Sequence, residues 1–176
     1  MKKFIPSAAV FLAVVVLWPA NSAKTQELGS AHYAHNGPAL LPDSKATPGD
    51  TVTTNIQTVC VPGYSRSERN VSVATKKQVY ALYGVHPSSQ TRNGKTERVC
   101  CEVDHLISLE LGGSNDIKNL WPEPYLPRPG ARQKDVLENW LHKQVCSGKM
   151  PLADAQQLIA SDWYAPYLAI KKAGPP

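Results

Sequence analysis

The residues best suited to chemistry lie in the stretch VDHLISLELGGSNDIKNLWPE, which runs from Val103 to Glu123. Asp104 directly precedes His105 within an apolar run that looks like a strand. An imidazole has the ordinary side-chain pKa that allows proton transfer near neutral pH, and a carboxylate can bind a divalent cation through oxygen. Asp104 and His105 therefore form a candidate pair of metal ligand and general base.

The chain near His105 must turn sharply if this pair is to meet one substrate. Neighbouring side chains of a regular strand point to opposite faces, so the two residues converge only where the strand ends or bends. The Gly112-Gly113 dipeptide permits a tight turn, and Asn119 follows His105 by fourteen residues. The amide of Asn119 is therefore predicted to hold the intervening loop.

Three features of this stretch resemble the HNH endonucleases of the ββα-metal superfamily: the Asp104-His105 pair, the LGGSND turn and the Asn119-Leu120 pair. The longer runs DHLISLELGGSNDIKNLWPEP and KDVLENWLHKQVCSG are similar to a group of exported bacterial and phage-associated HNH-like proteins. The resemblance covers residues 51–167. It implies an α+β fold with a ββα-metal (HNH) hairpin-helix core, flanking helices and a disulfide brace.

The resemblance also implies a function, which is metal-dependent hydrolysis of phosphodiester bonds in nucleic acid, with DNA favoured over RNA. His105 would be the general base that deprotonates the attacking water, and Asp104 would be a metal ligand. Asn119 would hold the loop and orient the imidazole. The implied cofactor is one divalent metal ion, with Mg²⁺ favoured over Mn²⁺, Zn²⁺ and Ni²⁺.

The rest of the metal shell is predicted on the helix that follows the hairpin. Asp135, Glu138 and His142 are spaced at i, i+3 and i+7, which places them along one helix face. This face lies opposite the apolar stripe of the same helix, so a simple water-facing surface is the alternative. The function then has an alternative too, a non-catalytic exported binding or structural protein that keeps an HNH scaffold.

The beginning of the chain is typical of a secretory signal peptide, because two lysines precede a short apolar run and a group of small residues. We predict a signal peptide over 1–23, a flexible leader over 24–50, the nuclease domain over 51–170 and a tail over 171–176. The mature protein would be secreted or periplasmic, with no membrane segment. An uncleaved N-terminal anchor is the alternative.

Four cysteines in an exported chain favour disulfides over free thiols. Cys60 and Cys146 are predicted to be disulfide-bonded, either to each other or separately to Cys100 and Cys101. The adjacent pair is not expected to bond to itself, because that small ring is strained. A zinc-bound interaction module using Cys100, Cys101 and His105 is a further alternative, although the chain has no CxxC motif.

The formal net charge of +5 falls by two, to +3, when Lys2 and Lys3 leave with the signal peptide. This excess is compatible with a polyanionic substrate and does not require one. The available phosphate contacts are Arg66, Arg69, Lys76, Lys77, Arg98, Lys118, Arg128, Arg132 and Lys134.

Local patterns predict the elements around the site. An extended segment should cover 51–64, a short helix should end at Gly84, and Asn93-Gly94 should form a hairpin turn. Helices are predicted over 131–145 and 152–170 from their apolar periodicity.

Overall fold

The computed structural model describes residues 29–174, so the predicted signal peptide lies outside the described residues. In the part described, the chain forms six α-helices and three two-stranded antiparallel sheets, which confirms a mixed α+β fold. None of the helices within 29–174 combines the length and the apolar content needed to cross a membrane.

The segment from Gly29 to Asp50 packs against the rest of the chain, so the prediction of a flexible leader is wrong for these residues. It contains a small hairpin of β1 (Ala34–Asn36) and β2 (Ala39–Leu41). The side chain of Tyr33 donates a hydrogen bond to the Pro122 carbonyl at 2.6 Å, and its ring contributes to the core. The apolar residues of this segment have no periodicity, but they are enough to pack it in place because the rest of the domain supplies the surface that they cover.

The predicted extended segment over 51–64 instead contains a short helix, α1 (Ile56–Val59), and a second one, α2 (Tyr64–Glu68), begins at its last residue. The side chain of Asn55 accepts a hydrogen bond from the Gln57 N–H at 2.9 Å and so caps the first of them. This local cap outweighs the preference of the β-branched residues for a strand.

A longer helix and an exposed hairpin come next. Helix α3 (Val73–Tyr83) ends at Gly84, whose φ of 63° is the left-handed conformation expected of a terminating glycine. Strands β3 (Ser88–Arg92) and β4 (Lys95–Cys100) are joined by the predicted two-residue turn at Asn93-Gly94, with both residues at positive φ.

The second hairpin carries the candidate residues. Strand β5 (Glu102–His105) pairs with β6 (Leu120–Glu123), and two 3-10 turns, Leu109–Leu111 and Ile117–Asn119, lie in the loop between them. Helix α4 (Ala131–Cys146) then follows, close to the predicted bounds. The local order is therefore strand, loop, strand and helix.

The last predicted helix is split into α5 (Leu152–Ser161) and α6 (Tyr164–Lys172). Pro166 has no N–H to donate to the carbonyl four residues before it, and its ring clashes with that carbonyl, so one continuous helix cannot run through this point. The carboxylate of Asp162 accepts hydrogen bonds from the N–H groups of Tyr164 and Ala165, so a new helix begins there.

Two disulfides brace the fold. Cys60, at the end of α1, is bonded to Cys146, at the end of α4, across 86 residues of sequence. Cys100 and Cys101 are bonded to each other, so the expectation that the adjacent pair would not bond is wrong. Cys100 and Cys101 lie at the junction of β4 and β5. The other two cysteines are bonded to each other and so are not available to this pair.

Candidate active site

Strand β5 ends at His105, as the convergence of the Asp104-His105 pair requires. The imidazole is only 2 % exposed, whereas the carboxylate of Asp104 is 17 % exposed. Asp104 Oδ1 lies 4.0 Å from His105 Nδ1, so both groups face one small volume. The opening to solvent is on the Asp104 side.

The loop after His105 is held by a buried amide, which we call the Asn119 latch. Asn119 Oδ1 accepts from the Ile107 N–H, and Nδ2 donates to the carbonyls of Ile107 and Ser114, each at 2.9 Å. A Cβ on Gly113 would overlap the Ile107 carbonyl, so glycine is needed beside the latch. The latch residue makes no side-chain hydrogen bond to His105 among the described residues, so the loop contacts do not extend to the imidazole.

The imidazole is oriented by a different amide, that of Asn115. Asn115 Nδ2 donates to the Glu68 carbonyl at 2.7 Å, which turns Oδ1 toward His105 Nε2 at 3.0 Å. An amide oxygen only accepts hydrogen bonds, so Nε2 carries the proton of the neutral ring. The free lone pair is then on Nδ1, the nitrogen that faces Asp104.

The protonation state of His105 suits a base. Burial lowers the pKa of His105 below its ordinary value, and the charges of Arg69 and Lys134 act in the same direction. The hydrogen bond that His105 donates to Asn115 and the charge of Asp104 raise the pKa but do not outweigh these effects. The ring is therefore neutral at pH 7 and able to accept a proton.

The space between β5 and α4 is filled by a buried ammonium group. Lys134, which is fully buried, lies 3.1 Å from Asp104 Oδ2 and donates to the His105 carbonyl at 2.7 Å. It also hydrogen-bonds Glu138, four residues later on α4, and lies 3.7 Å from Glu123 Oε2. We call Lys134 with Asp104, Glu123 and Glu138 the buried charge cluster.

The charges within the buried charge cluster follow from its pKa values. Burial opposes ionisation of Asp104, but Lys134, Glu123 and His105 outweigh it and hold the pKa of Asp104 at about 2. Burial raises the pKa of Glu138 to about 8 and that of Glu123 well above its usual range, although Lys134 lowers both. One ammonium therefore faces one ionised carboxylate and two carboxyl groups whose ionisation is opposed by burial.

The helix residues predicted as metal ligands are not gathered at one point. Glu138 is joined to Asp104 through Lys134. Asp135 lies on the exposed side of α4, where partial burial of its carboxyl group and the charge of Asp104 raise its pKa. His142 lies at the other end of the helix, with Nε2 3.2 Å from the Val59 carbonyl. Of the predicted helix ligands, Asp135 therefore has a carboxyl group that is open to solvent and whose pKa is raised by the charge of Asp104.

A different group has ligand atoms close together. Cys60, His142 and Cys146 place one ligand atom each within 4.8 Å of the others and could hold a metal ion. Their two sulfurs are joined in a disulfide here, so thiolate ligands would require its reduction. The alternative zinc module of Cys100, Cys101 and His105 is not supported, since both of its sulfurs are engaged in their own bond.

Three residues of the site are not identified by the sequence patterns. The pattern around Asn115 indicates an ordinary turn or a helix cap, Lys134 is predicted as a surface contact for phosphate, and Glu123 receives no role. A signal exists for Lys134, because it shares one helix face with Leu137, Leu141 and Val145, all fully buried. The role of Asn115 depends on Glu68, which is 47 residues away in sequence, and no local pattern reveals that contact.

Comparisons with protein-family models, curated proteins and solved structures found no match to this chain.

Proposed function

We propose that the protein is an exported endonuclease that hydrolyses phosphodiester bonds in nucleic acid, with His105 as general base and one divalent metal ion at Asp104. The observation that carries the proposal is the fixed tautomer of His105. Asn115 holds the proton on Nε2, and the basic Nδ1 faces the ionised, partly exposed carboxylate of Asp104. The order of strand, loop, strand and helix agrees with the ββα-metal core that the HNH resemblance implies.

The residues present fit a metal ion that keeps much of its hydration. Asp104 uses Oδ2 to bind Lys134 and leaves Oδ1 without a hydrogen bond in the described residues. Asp135 is exposed, and the mutual repulsion of the two carboxylates is an effect that a cation relieves. Mg²⁺ is commonly held by one or two carboxylates together with water and substrate phosphate. A bound ion would supply Lewis-acid stabilisation of charge on the phosphate and on the leaving 3′ oxygen.

The chain's own residues then have distinct tasks. His105 Nδ1 takes the proton from the water whose oxygen bonds to phosphorus as the bond to the 3′ oxygen breaks. Asn115 keeps that nitrogen unprotonated and correctly aimed. Lys134 holds Asp104 ionised and fixes the backbone carbonyl of His105, and the Asn119 latch fixes the loop that follows.

The proposal is tested by incubating the purified protein with supercoiled plasmid DNA and with Mg²⁺ or Mn²⁺, each with an EDTA control. His105→Ala is expected to lower the nicking rate by about 10²–10⁴-fold, the usual contribution of a general base. His35→Ala, which removes an exposed histidine on β1, should cut like the unmodified protein. Equal cutting by both variants would refute His105 as the general base, and no cutting by the unmodified protein with any of Mg²⁺, Mn²⁺, Zn²⁺ and Ni²⁺ would refute the nuclease.

A non-catalytic exported binding protein is the second candidate, and two observations favour it. The imidazole of His105 is 2 % exposed, and an ammonium already occupies the space between Asp104 and Glu138. In this case the unmodified protein would bind nucleic acid without cutting it, and His105→Ala would bind equally well. Binding measured beside the nicking assay therefore separates the two candidates.

A further inference from the structure

Exposed basic side chains surround strand β4 and extend from the candidate site to the tip of the β3–β4 hairpin. They line three neighbouring cavities that share residues. The first, of about 500 Å³, contains Arg69, Lys76 and Arg98 beside Glu102 and Val103, the two residues before Asp104. The second adds Lys95, Arg128 and Arg132, and the third adds Arg92 near the hairpin turn. We call these seven basic residues the basic strip.

The basic strip begins at the candidate site. The charge of Arg69 acts on both His105 and Asp135, so Arg69 lies within electrostatic reach of the proposed base and the proposed metal ligand. Arg98 lines both the first cavity and the second, and Arg128 lines both the second and the third. A ligand following the shared residues would therefore pass from the site to the hairpin tip.

The positive charge of the strip is mostly uncompensated. Among the seven residues, Arg128 alone lies within 4.0 Å of a carboxylate in the part of the chain described, and its exposed pair with Glu97 at 3.5 Å is weak. The other acidic group lining these cavities, Glu102, accepts a hydrogen bond from the Tyr125 hydroxyl. A surface with seven cations and two engaged acids is suited to a polyanion.

The strip offers charge, and the two aromatic residues beside it make contacts within the protein. The guanidinium of Arg98 lies over the ring of Tyr125, 4.8 Å from its centroid, and the hydroxyl of Tyr80 donates to the Cys101 carbonyl. Proteins that bind single strands stack bases on open aromatic rings. Of the two aromatic residues that line these cavities, Tyr125 has one ring face covered by Arg98, and Tyr80 is held by its hydroxyl.

We propose that the basic strip binds the phosphate backbone of double-stranded DNA without reading its sequence and guides the duplex into the candidate site. The six residues of β4 span about 20 Å, and one strand of a duplex carries a phosphate about every 3.4 Å along its axis. The strip therefore spans about six phosphates of one strand. This inference deepens the proposed nuclease function and rests on it in taking the candidate site as the end toward which the duplex is guided. Its test does not require DNA cutting.

The test measures binding of a fluorescent 30-base-pair duplex to His105→Ala protein between 50 and 200 mM salt. In this background, Arg92→Ala/Lys95→Ala/Arg128→Ala removes three cations of the strip that are remote from His105. The matched control, Lys143→Ala/Lys149→Ala/Lys171→Ala, removes the same charge from exposed positions elsewhere. Thermal unfolding of both triple variants verifies that each is folded.

The strip variant is expected to lower the slope of log binding constant against log salt by up to about 2.7, at about 0.9 for each phosphate that is no longer neutralised. The control should change the slope by less than about one. Equal reductions in both variants, or binding of the single strand as tightly as the duplex, would overturn the proposal. Duplex binding through the strip without plasmid cutting by the unmodified protein would support the strip and refute the nuclease, so the two failures are distinguishable.

Discussion

At the scale of the residue, the site depends on one amide that fixes the chemistry of one ring. His105 would have two neutral tautomers of similar energy if nothing held its Nε2 proton. Asn115 selects the tautomer with the proton on Nε2, because its own Nδ2 donates to the Glu68 carbonyl and cannot exchange places with Oδ1. Asn115 is therefore a positioning residue in the proposed reaction, acting through His105 rather than on the substrate.

Replacing Asn115 by alanine should lower kcat by about 10–100-fold while leaving KM for duplex DNA nearly unchanged. The hydrogen bond that His105 donates to Asn115 raises the pKa of His105, so its loss should also move the acidic limb of the kcat/KM profile to lower pH. Asn139→Ala, an exposed amide on α4, is the control. A loss of kcat with an unmoved acidic limb would indicate that Asn115 is merely structural.

The buried charge cluster gives a second prediction at this scale, which concerns stability. Burial raises the pKa of Glu138 to about 8, well above the value near 4.5 expected in the unfolded chain. The folded state thus binds more protons than the unfolded state between these values, and stability contributed by protonated Glu138 is lost as pH rises from about 4.5 to 8. Glu138→Gln, which cannot ionise, should flatten this decline.

The free energy of unfolding in urea, measured at pH 5 and pH 8.5, provides the comparison. The difference between the two pH values should be smaller in Glu138→Gln than in the unmodified protein. Glu97→Gln, which changes an exposed carboxylate on β4, should retain the full difference. An undiminished decline in Glu138→Gln would mean that Glu138 is already ionised beside Lys134.

At the scale of the element, the β5–β6 loop is maintained by the Asn119 latch rather than by regular pairing. Asn119→Ala removes three buried hydrogen bonds and leaves the Ile107 N–H without its acceptor. An unsatisfied buried polar group costs about 1–3 kcal/mol, so the total loss should exceed about 3 kcal/mol.

Urea unfolding and amide hydrogen exchange measure this effect together. The Ile107 amide should exchange much faster in Asn119→Ala, because its acceptor is gone. Asn119→Asp keeps the acceptor and loses the donor, so it should protect the Ile107 amide better than alanine does. Unchanged exchange at Ile107 in Asn119→Ala would show that the loop does not depend on the latch.

The elements that the sequence predicts well are those with local determinants. Gly84 ends α3, the Asn93-Gly94 pair turns the hairpin, and the apolar stripe of α4 sets its bounds within one residue. Elements that depend on distant partners are predicted poorly. Residues 29–50 lack periodicity yet pack through Tyr33 against Trp121, and the break at Asp162 is hidden by continuous apolar spacing.

The same division applies to the site. The position of Asn119 and the end of β5 at His105 follow from a contiguous stretch, whose spacing is visible in the sequence. Lys134 is predicted as surface because lysine is rarely buried, and only the three carboxyl groups around it make burial tolerable. A charge cluster assembled from two strands and a helix has no single-stretch signature.

At the scale of the whole molecule, the Cys60–Cys146 bond joins the two sides of the site. Helix α2, which begins four residues after Cys60, contains Glu68, the anchor of Asn115, and α4 contributes Lys134. The bond closes 86 residues of sequence, so it removes much conformational freedom from the unfolded chain. It should therefore stabilise the fold as well as the relative placement of the proposed base and the buried charge cluster.

The two disulfides close loops of very different length, so removing each in turn tests whether loop closure is the source of the stabilisation. Cys60→Ala/Cys146→Ala should lower the free energy of unfolding in urea by about 2–5 kcal/mol. Cys100→Ala/Cys101→Ala breaks a bond between adjacent residues that closes almost no loop, so its cost should be clearly smaller. If the adjacent pair proved equally or more costly to remove, loop closure would not be the source of the stabilisation, and local packing at the β4–β5 junction would have to supply it.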